Sequence, residues 1–492
     1  MQVVWLILLG LLWTTPTWAA CNTAGHPILV AASPAQTDVN ACVALAANGN
    51  TIQIPVGSAT WSSGVTITKN ITVQGSGEGT AGACNPAVNT CLTSTAGAGS
   101  QLFLFLPTVD LPLRVTGINF NLGAIQNGQR AIQITMPYDG VTKLTQLRLD
   151  HLALFGGGGT NANDEGGIFL RRWIRGVADH IQCLNVNECF MIFGDDSFDW
   201  ARAFAAGDVS AGTSDAFFIE DSTFTYNSTC NGQVWDGYIY MQEATRVVSR
   251  HNIFDASACP NPGFLTLMYD AHGNFSTYTH APPQTGDPRG QVIFESYNNT
   301  ATVSRFAGGQ FMGIRGGSNL IHDETLIVTN DPSGDTINFT EEEGWLSSQF
   351  SPLRTVWPAQ DQIYNTFIWN LCLKTSAGGS CSSMTSIGVS PSCGFTVLCI
   401  GSNGGSDPAF IQTNRDVFFH APQASGGRET FTGARFGGST AAPTQTDSGS
   451  MTFSGAGANA YYPYTPYTYP HPLQGGGGDK TPPAAPTNLR VM

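Results

Sequence analysis

Five segments of this chain repeat one pattern: a short apolar strand, two polar residues, then a second short strand. They are LRLDHLALF (147–155), GVADHIQCL (176–184), FFIEDSTFT (217–225), VVSRHNIFD (247–255) and IFESYNNTA (293–301). The polar pairs are Asp150-His151, Asp179-His180, Glu220-Asp221, Arg250-His251 and Tyr297-Asn298. They recur at about 30 residues, or about 40 to 50 where a loop is inserted, which is the spacing of stacked structural repeats. One such repeat cannot bury its apolar face alone, so successive copies must pack side by side. Stacked in parallel, each pair falls about 4.8 Å from its counterpart. Polar side chains at such a corner satisfy turn amides and hydrogen-bond along the stack. The charged residues of the pattern therefore read first as architecture.

The flanking sequence agrees. TIQIPVG (51–57), GVTITKNITVQG (64–75) and LRVTGINFNLG (113–123) alternate with period 2 and are punctuated by glycine, as strands are. TDVNACVALAANGN (37–50) reads as one short helix, with Thr37 or Asp38 as its cap and Asn48-Gly49 as its end. GSGEGT (75–80) has the glycines of a phosphate loop, but no helical pattern follows, so it reads as a tight turn. Only 11% of the residues are charged and 57 are glycine, which suits a turn-rich all-β chain. The formal charge is −14 and four of the 21 basic residues are lysine, which argues against a broad basic face for nucleic acid or anionic lipid.

The first 20 residues have the makings of an export signal, with the apolar run VVWLILLGLLW and small residues Thr17 and Ala19 flanking Trp18. No Lys or Arg precedes Lys69, so the usual basic start is missing. An uncleaved anchor and lipidation at Cys21 are the alternatives. Twelve cysteines, an even number, predict disulfides in an oxidising compartment. Several lie close in sequence, as Cys84 and Cys91 do, but spacing leaves the connectivity open. The absence of CxxC and HxxxH spacings argues against a structural zinc centre.

Between residues 150 and 325 the segments GVADHIQC, DAFFIEDSTF, RVVSRHNIF, AHG, RGQVIFESYNNT and GIRGGSNLI, in that order, resemble the exported right-handed parallel β-helix proteins of the pectin-lyase-like superfamily. The opening TIQIPVGSATWSSGVTITKNITVQGSGEGT is similar to the first coils of such proteins. The resemblance implies an all-β, three-sheet solenoid over residues 21–455 with a short N-terminal capping helix, and a ligand groove along one sheet. It does not fix an activity, because this fold carries lyases, hydrolases, epimerases and adhesive surfaces. Residues 456–492, rich in Pro, Tyr and Gly, read as a linker and tail with little order of their own.

Three long insertions are the places to look for chemistry, since loops on a rigid wall form its clefts. They are TNANDEGGIFLRRWIRG (160–176), FGDDSFDWARAF (193–204) and MYDAHGNFSTYTHAPPQTGDPRG (268–290). A lyase acting on uronate polysaccharide needs the carboxylate neutralised and a base for the C5 proton. Arg289 and Arg315 suit the first role and His272 or Tyr269 the second, with Asp270 beside them; the bland alternative is that the arginines pair with nearby acids. Arg171, Arg172, Trp173 and Trp200 are candidates to bind the sugar chain, and Asp195, Asp196 and Asp199 to hold Ca²⁺. A second enzymatic reading follows β-helical polygalacturonases, whose acidic and His motifs are echoed by NAND (161–164), GDD (194–196), AHG (271–273) and GIRG (313–316). Their Thr, the first Gly of the His motif and the final Lys are not reproduced. A third reading is non-catalytic: Trp173, Trp200, Trp235, Tyr238 and Tyr240 would stack on sugars in an adhesive surface, or else pack within the stack. The expected protein is a secreted or cell-surface monomer whose partner is extracellular polysaccharide, without nucleic acid or membrane insertion.

Overall fold

The structure is a computed structural model. It describes residues 20–123, 128–156, 166–194, 211–227, 234–259, 264–271, 291–305, 310–332, 334–340, 363, 366–382, 384, 386–389, 393–400, 411, 417–420, 434–435, 443–445, 451–453, 461–462 and 466–475. Among the described residues the protein is all-β, dominated by one 20-stranded and one 12-stranded sheet. Among the described residues their pairings are parallel except at the edge, where Cys21–Asn22 runs antiparallel to Ile28–Ala31.

The strands form three in-register ladders. The first runs through Ile28–Ala31, Thr51–Gln53 and Thr72–Gln74 into the first halves of Leu113–Gly123, Leu144–Gly156 and Ile174–Leu184. It continues through Phe217–Glu220, Arg246–Arg250, Ile293–Tyr297, Ser318–His322 and Thr366–Trp369. The second uses the later halves of the same three long strands, then Thr223–Thr225, Ile253–Ala256, Thr300–Arg305, Thr325–Asp331 and Cys372–Lys374. The third is the 12-stranded sheet, which includes Arg130–Thr135, Ile168–Arg171, Phe190–Phe193, Ile239–Gln242, Phe264–Ala271, Gln310–Ile314 and Asp335–Phe339. Two ladders share one hydrogen-bonded sheet because the three long strands pass through the bend between them unbroken.

That bend explains the repeated polar pair. Its first members pair in register: Asp150 with Asp179, Asp179 with Glu220, Glu220 with Arg250, and Arg250 with Tyr297. Its second members adopt the left-handed conformation, with φ of 52° at His151, 55° at His180, 51° at Asp221, 58° at His251 and 57° at Asn298. Gly117, Asp323 and Asn370 continue the set at 70°, 52° and 52°. One left-handed residue turns an extended chain sharply, and Gly, Asn, Asp and His tolerate that conformation best.

Hydrogen bonding along the stack runs one residue further on than the polar pair. The amide of Ile181 donates to Ser222 Oγ (3.0 Å), that of Ser222 to Asn252 Oδ1 (3.0 Å), that of Asn252 to Asn299 Oδ1 (2.9 Å) and that of Asn299 to Glu324 Oε2 (3.2 Å). All four acceptor side chains are buried, so each supplies a turn amide with a partner where water cannot reach. Between the ladders lies a continuous apolar core that includes Phe103, Phe120, Phe190, Phe224, Phe254 and Phe294. Phe224 and Phe254, one strand apart, stack at 4.8 Å. Each fully buried ring of this kind contributes about 1.5–3 kcal/mol.

A helix at Gln36–Leu45 lies against the first strands of both sheets and buries Val39, Cys42 and Val43. It begins one residue before the position that the sequence suggests, and neither Thr37 nor Asp38 is its cap. Ala35 stands at the N-cap with no side-chain cap, and just outside it Ser33 Oγ accepts from the Ala35 amide (3.1 Å) and donates to Asp38 (2.6 Å). Among the described residues, disulfides join Cys21–Cys42, Cys84–Cys91, Cys183–Cys189, Cys372–Cys381 and Cys393–Cys399. Such bridges fit an oxidising compartment. With its sulfur in a bridge, Cys21 has no thiol to lipidate. No helix among the described residues is long and apolar enough to cross a membrane.

The C-terminal reading needs correction. Residues 466–475 are not a structureless tail; they pack on the outer face of the first ladder, where Tyr467 and Leu473 join a cluster of Val177, Phe218, Val248 and Tyr297. Arg250, fully buried, donates to Glu220 Oε1 (2.9 Å from Nε), to the Tyr297 hydroxyl (2.7 Å) and to the Tyr467 and Thr468 carbonyls (2.5 and 2.8 Å). Glu220 in turn accepts from the His471 amide (3.0 Å) and Gln474 Nε2 (2.8 Å). A buried ion pair is tolerated when its remaining hydrogen-bonding capacity is filled, and this segment fills it.

Candidate functional site

The outer face of the 12-stranded sheet gathers several of the residues singled out above. Alternation fixes which ones. Leu170, Ile192, Met241 and Tyr269 point into the core, so Phe169, Arg171, Met191, Phe193, Tyr240, Gln242 and Asp270 stand on the opposite face. Phe169, Met191 and Tyr240 form a buried patch with Phe193 packed against it. Arg130 lies 4.3 Å over the Phe169 ring, and Arg171 lies 5.6 Å from Phe169 and 5.9 Å from Phe193. Both residues are partly buried. Cations over aromatic faces are held by the ring quadrupole, which keeps them on this wall.

The structure brings Asp270 and Arg315 together, with Arg315 Nη2 3.4 Å from Asp270 Oδ1. It does not bring Arg171 to them. Two strands, Phe190–Phe193 and Ile239–Gln242, lie between, so the separation is three strand spacings or about 14 Å. Arg172 turns away to donate to the Met136 carbonyl (2.5 Å) and lies over Tyr138. Trp173 is buried rather than an open platform, with Lys143 at 5.5 Å and Arg175 at 5.9 Å from its ring.

Tyr269 is a core residue. Its hydroxyl donates to Ser249 Oγ (3.0 Å) and lies 3.2 Å from Ser296 Oγ, and burial pushes its ionisation well above the ordinary value. A side chain enclosed there does not reach a polymer. Tyr238 is likewise interior, stacked on Tyr226 at 4.4 Å. His272, Arg289, Trp200, Asp195, Asp196 and Asp199 lie outside the described residues, as does the side chain of Trp235.

A second place went unremarked in the sequence. A cleft of about 420 Å³ opens on the 20-stranded sheet, lined by Glu78, Thr80, Gln182, Leu184, His151, His180, Asp221, Thr223 and Thr225 among others. The glycine-rich turn at 75–80, with Gly79 at φ 67°, supplies its rim. His151 and His180 sit at successive bends, with rings 4.9 Å apart and 4° from parallel. Each is tied by Nδ1 to the buried carboxylate before it, His151 to Asp150 at 2.9 Å and His180 to Asp179 at 2.8 Å. Asp150 also accepts from Arg114 Nε (2.6 Å) and Thr116 Oγ1 (2.9 Å), and Asp179 from Arg148 Nε (3.0 Å). Burial alone would raise the Asp150 pKa, but Arg114, His151 and Arg148 overcome it and hold that carboxyl well below the usual range. The hydrogen bond to Asp179 raises the His180 pKa. Burial raises that of Asp221, against the hydrogen bonds from Tyr469 and Gln474. The signal that could have revealed this cleft was two Asp-His pairs at equivalent places in adjacent repeats.

One group of His, Cys, Asp or Glu ligand atoms among the described residues is close enough to hold an ion: Asp335, Cys393 and Cys399. Those two cysteines are bonded to each other, so no thiolate is available there.

Comparison with protein-family models, curated proteins and solved structures finds nothing that matches this chain.

Proposed function

We propose that this chain is an exported right-handed parallel β-helix that acts on acidic extracellular polysaccharide, cleaving it by β-elimination along the wall of the 12-stranded sheet. The three parallel ladders, the N-terminal helix against their first strands and the disulfides support the architecture and the compartment. The activity rests on one observation: a single sheet face carries the partly buried Arg130 and Arg171 beside aromatic rings, with the Asp270–Arg315 pair further along. Guanidinium groups spaced along a straight wall suit a polymer of repeating carboxylates, and neutralising a uronate carboxylate acidifies its C5 proton. In this reading His272 serves as the base and Arg289 as a further neutralising group, and Asp195, Asp196 and Asp199 would hold Ca²⁺; these roles are carried by the sequence alone.

The test is incubation of the purified chain with a panel of uronate polysaccharides. Absorbance from unsaturated uronate ends supports elimination. Reducing ends without that absorbance point to hydrolysis, and retention without either product points to an adhesive surface. Arg171→Ala is expected to lower turnover by about 10²-fold or more, the scale of removing one charge-stabilising donor. Unchanged turnover in that variant removes the wall from the account.

A further inference from the structure

We infer that residues 466–475 act as a clamp: docked across the outer face of five consecutive strands of the first ladder, they make the coils that carry the arginine wall open as one unit. In a stacked solenoid each repeat touches only its neighbours, so coils can loosen one or two at a time. Here a single segment contacts strands that are not neighbours. At one end the Tyr467 carbonyl accepts from Arg250 Nη1 (2.5 Å), and the Tyr467 ring packs on Phe218 with centres 5.3 Å apart. The same ring joins the cluster that contains Tyr297, at the end of Ile293–Tyr297. At the other end the 3₁₀ turn Pro472–Gln474 lies against Ile174–Leu184 and Leu144–Gly156, and the Gln474 carbonyl accepts from Arg148 Nη1 (2.7 Å). The outermost of these strands are four spacings apart, or about 19 Å. The eight residues from Tyr467 to Gln474 reach about 26–29 Å when fully extended, so the segment crosses the stack without being stretched.

The grip combines buried charges with main-chain atoms. Arg250 and Glu220, both fully buried, hold the Thr468 carbonyl (2.8 Å) and the His471 amide (3.0 Å) respectively. The Tyr469 hydroxyl donates to Asp221 (2.5 Å), and its ring stacks on His251 with centres 3.8 Å apart. Pulling one strand from beneath the segment would leave the Arg250–Glu220 pair short of partners where water is excluded, which is costly. Each strand is therefore held by contacts made to the others. The wall is tied to these strands by the chain itself. Only Arg172 and Trp173 separate Arg171 from Ile174, and three residues separate Gln242 from Arg246. The segment thus sets the spacing of the wall strands from another side of the coil, whatever the wall binds.

The test is native-state hydrogen exchange in low urea on three chains: the full chain, one ending after residue 475 and one ending after residue 465. In the first two, the amides of 174–184, 217–220, 246–250 and 293–297 should open with one common free energy and one urea dependence. In the chain ending after 465 those strands should open separately, and protection at 190–193 and 239–242 in the wall should fall by about tenfold or more, while 28–31 stays unchanged. Tyr467→Ala combined with Leu473→Ala in the full chain removes two apolar contacts and leaves the main-chain bonds in place. That variant should split the common opening in the same way, and so tests the clamp even if the shortest chain does not fold. Separate openings in the full chain, unchanged exchange in a folded chain ending after 465, or a chain ending after 475 that behaves like the shorter one overturns the inference. So does a loss of protection spread equally over 28–31 and the strands beneath the segment.

Discussion

At the scale of single residues, the same position in each repeat carries both the geometry and its cost. Asn298 is exposed at φ 57°, so its conformation rather than its contacts is at stake. Asn298→Ala should therefore lose about 1–2 kcal/mol in urea denaturation, whereas Asn298→Gly should stay close to wild type. Glu324 ends the amide-satisfying series fully buried, accepting from Ser296 Oγ (2.5 Å) and Asn299 Nδ2 (2.9 Å). Burial pushes its pKa up to about 8 from an ordinary 4.5. An acid with a raised pKa stabilises the fold fully below its unfolded value, and that contribution is lost as pH rises through the folded value. Stability should thus fall by a few kcal/mol between about pH 5 and pH 9, and Glu324→Gln should flatten that slope. An unchanged slope in the variant would mean the carboxylate is not responsible. The polar pairs were legible in the sequence as corners. That their second members are His, Asp and Asn because the backbone there is left-handed shows only in the folded chain. Tyr269 misled because a tyrosine beside Asp270 in a long insertion looks catalytic, while strand alternation sends it inward.

At the scale of elements, the C-terminal segment is the least legible part. Its Pro-Tyr composition reads as linker, and its partners Glu220 and Arg250 lie more than 200 residues earlier in the chain. Only the folded sheet shows that those two buried charges need further donors and acceptors. Truncation after residue 465 should lower stability by about 3–5 kcal/mol, the scale of breaking a buried ionic network. It should also speed hydrogen exchange along 217–220 and 246–250, while protection at 28–31 stays unchanged. The disulfides show the converse. Near-neighbour cysteines hinted at short loops, and Cys183–Cys189 does join a strand of one sheet to the start of Phe190–Phe193 in the other. Replacing both cysteines with alanine should cost about 2 kcal/mol by the chain-entropy relation, read from the urea midpoint.

At the scale of the whole molecule, the repeat spacing carried the most information, because 30-residue self-similarity leaves few ways to bury an apolar face. It predicted columns of equivalent residues, and the pairing supplies them. It could not place the wall residues relative to one another, since loops of unequal length separate the strands that carry them. Nor could it reveal the His151–His180 cleft, whose rim comes from a turn some 100 residues earlier in the chain. Every functional statement depends on the columns being real. Asn121, Phe155, Leu184, Thr225, Asp255, Thr302, Ile327 and Lys374 pair in turn, so Asn121 and Lys374 are seven strand spacings apart, or about 34 Å. Nitroxide labels at those two positions, read by pulsed electron–electron resonance, should give one narrow distance distribution centred near that value, within label length. A broad distribution, or a centre below about 20 Å, would contradict the parallel stack and the site assignments built on it.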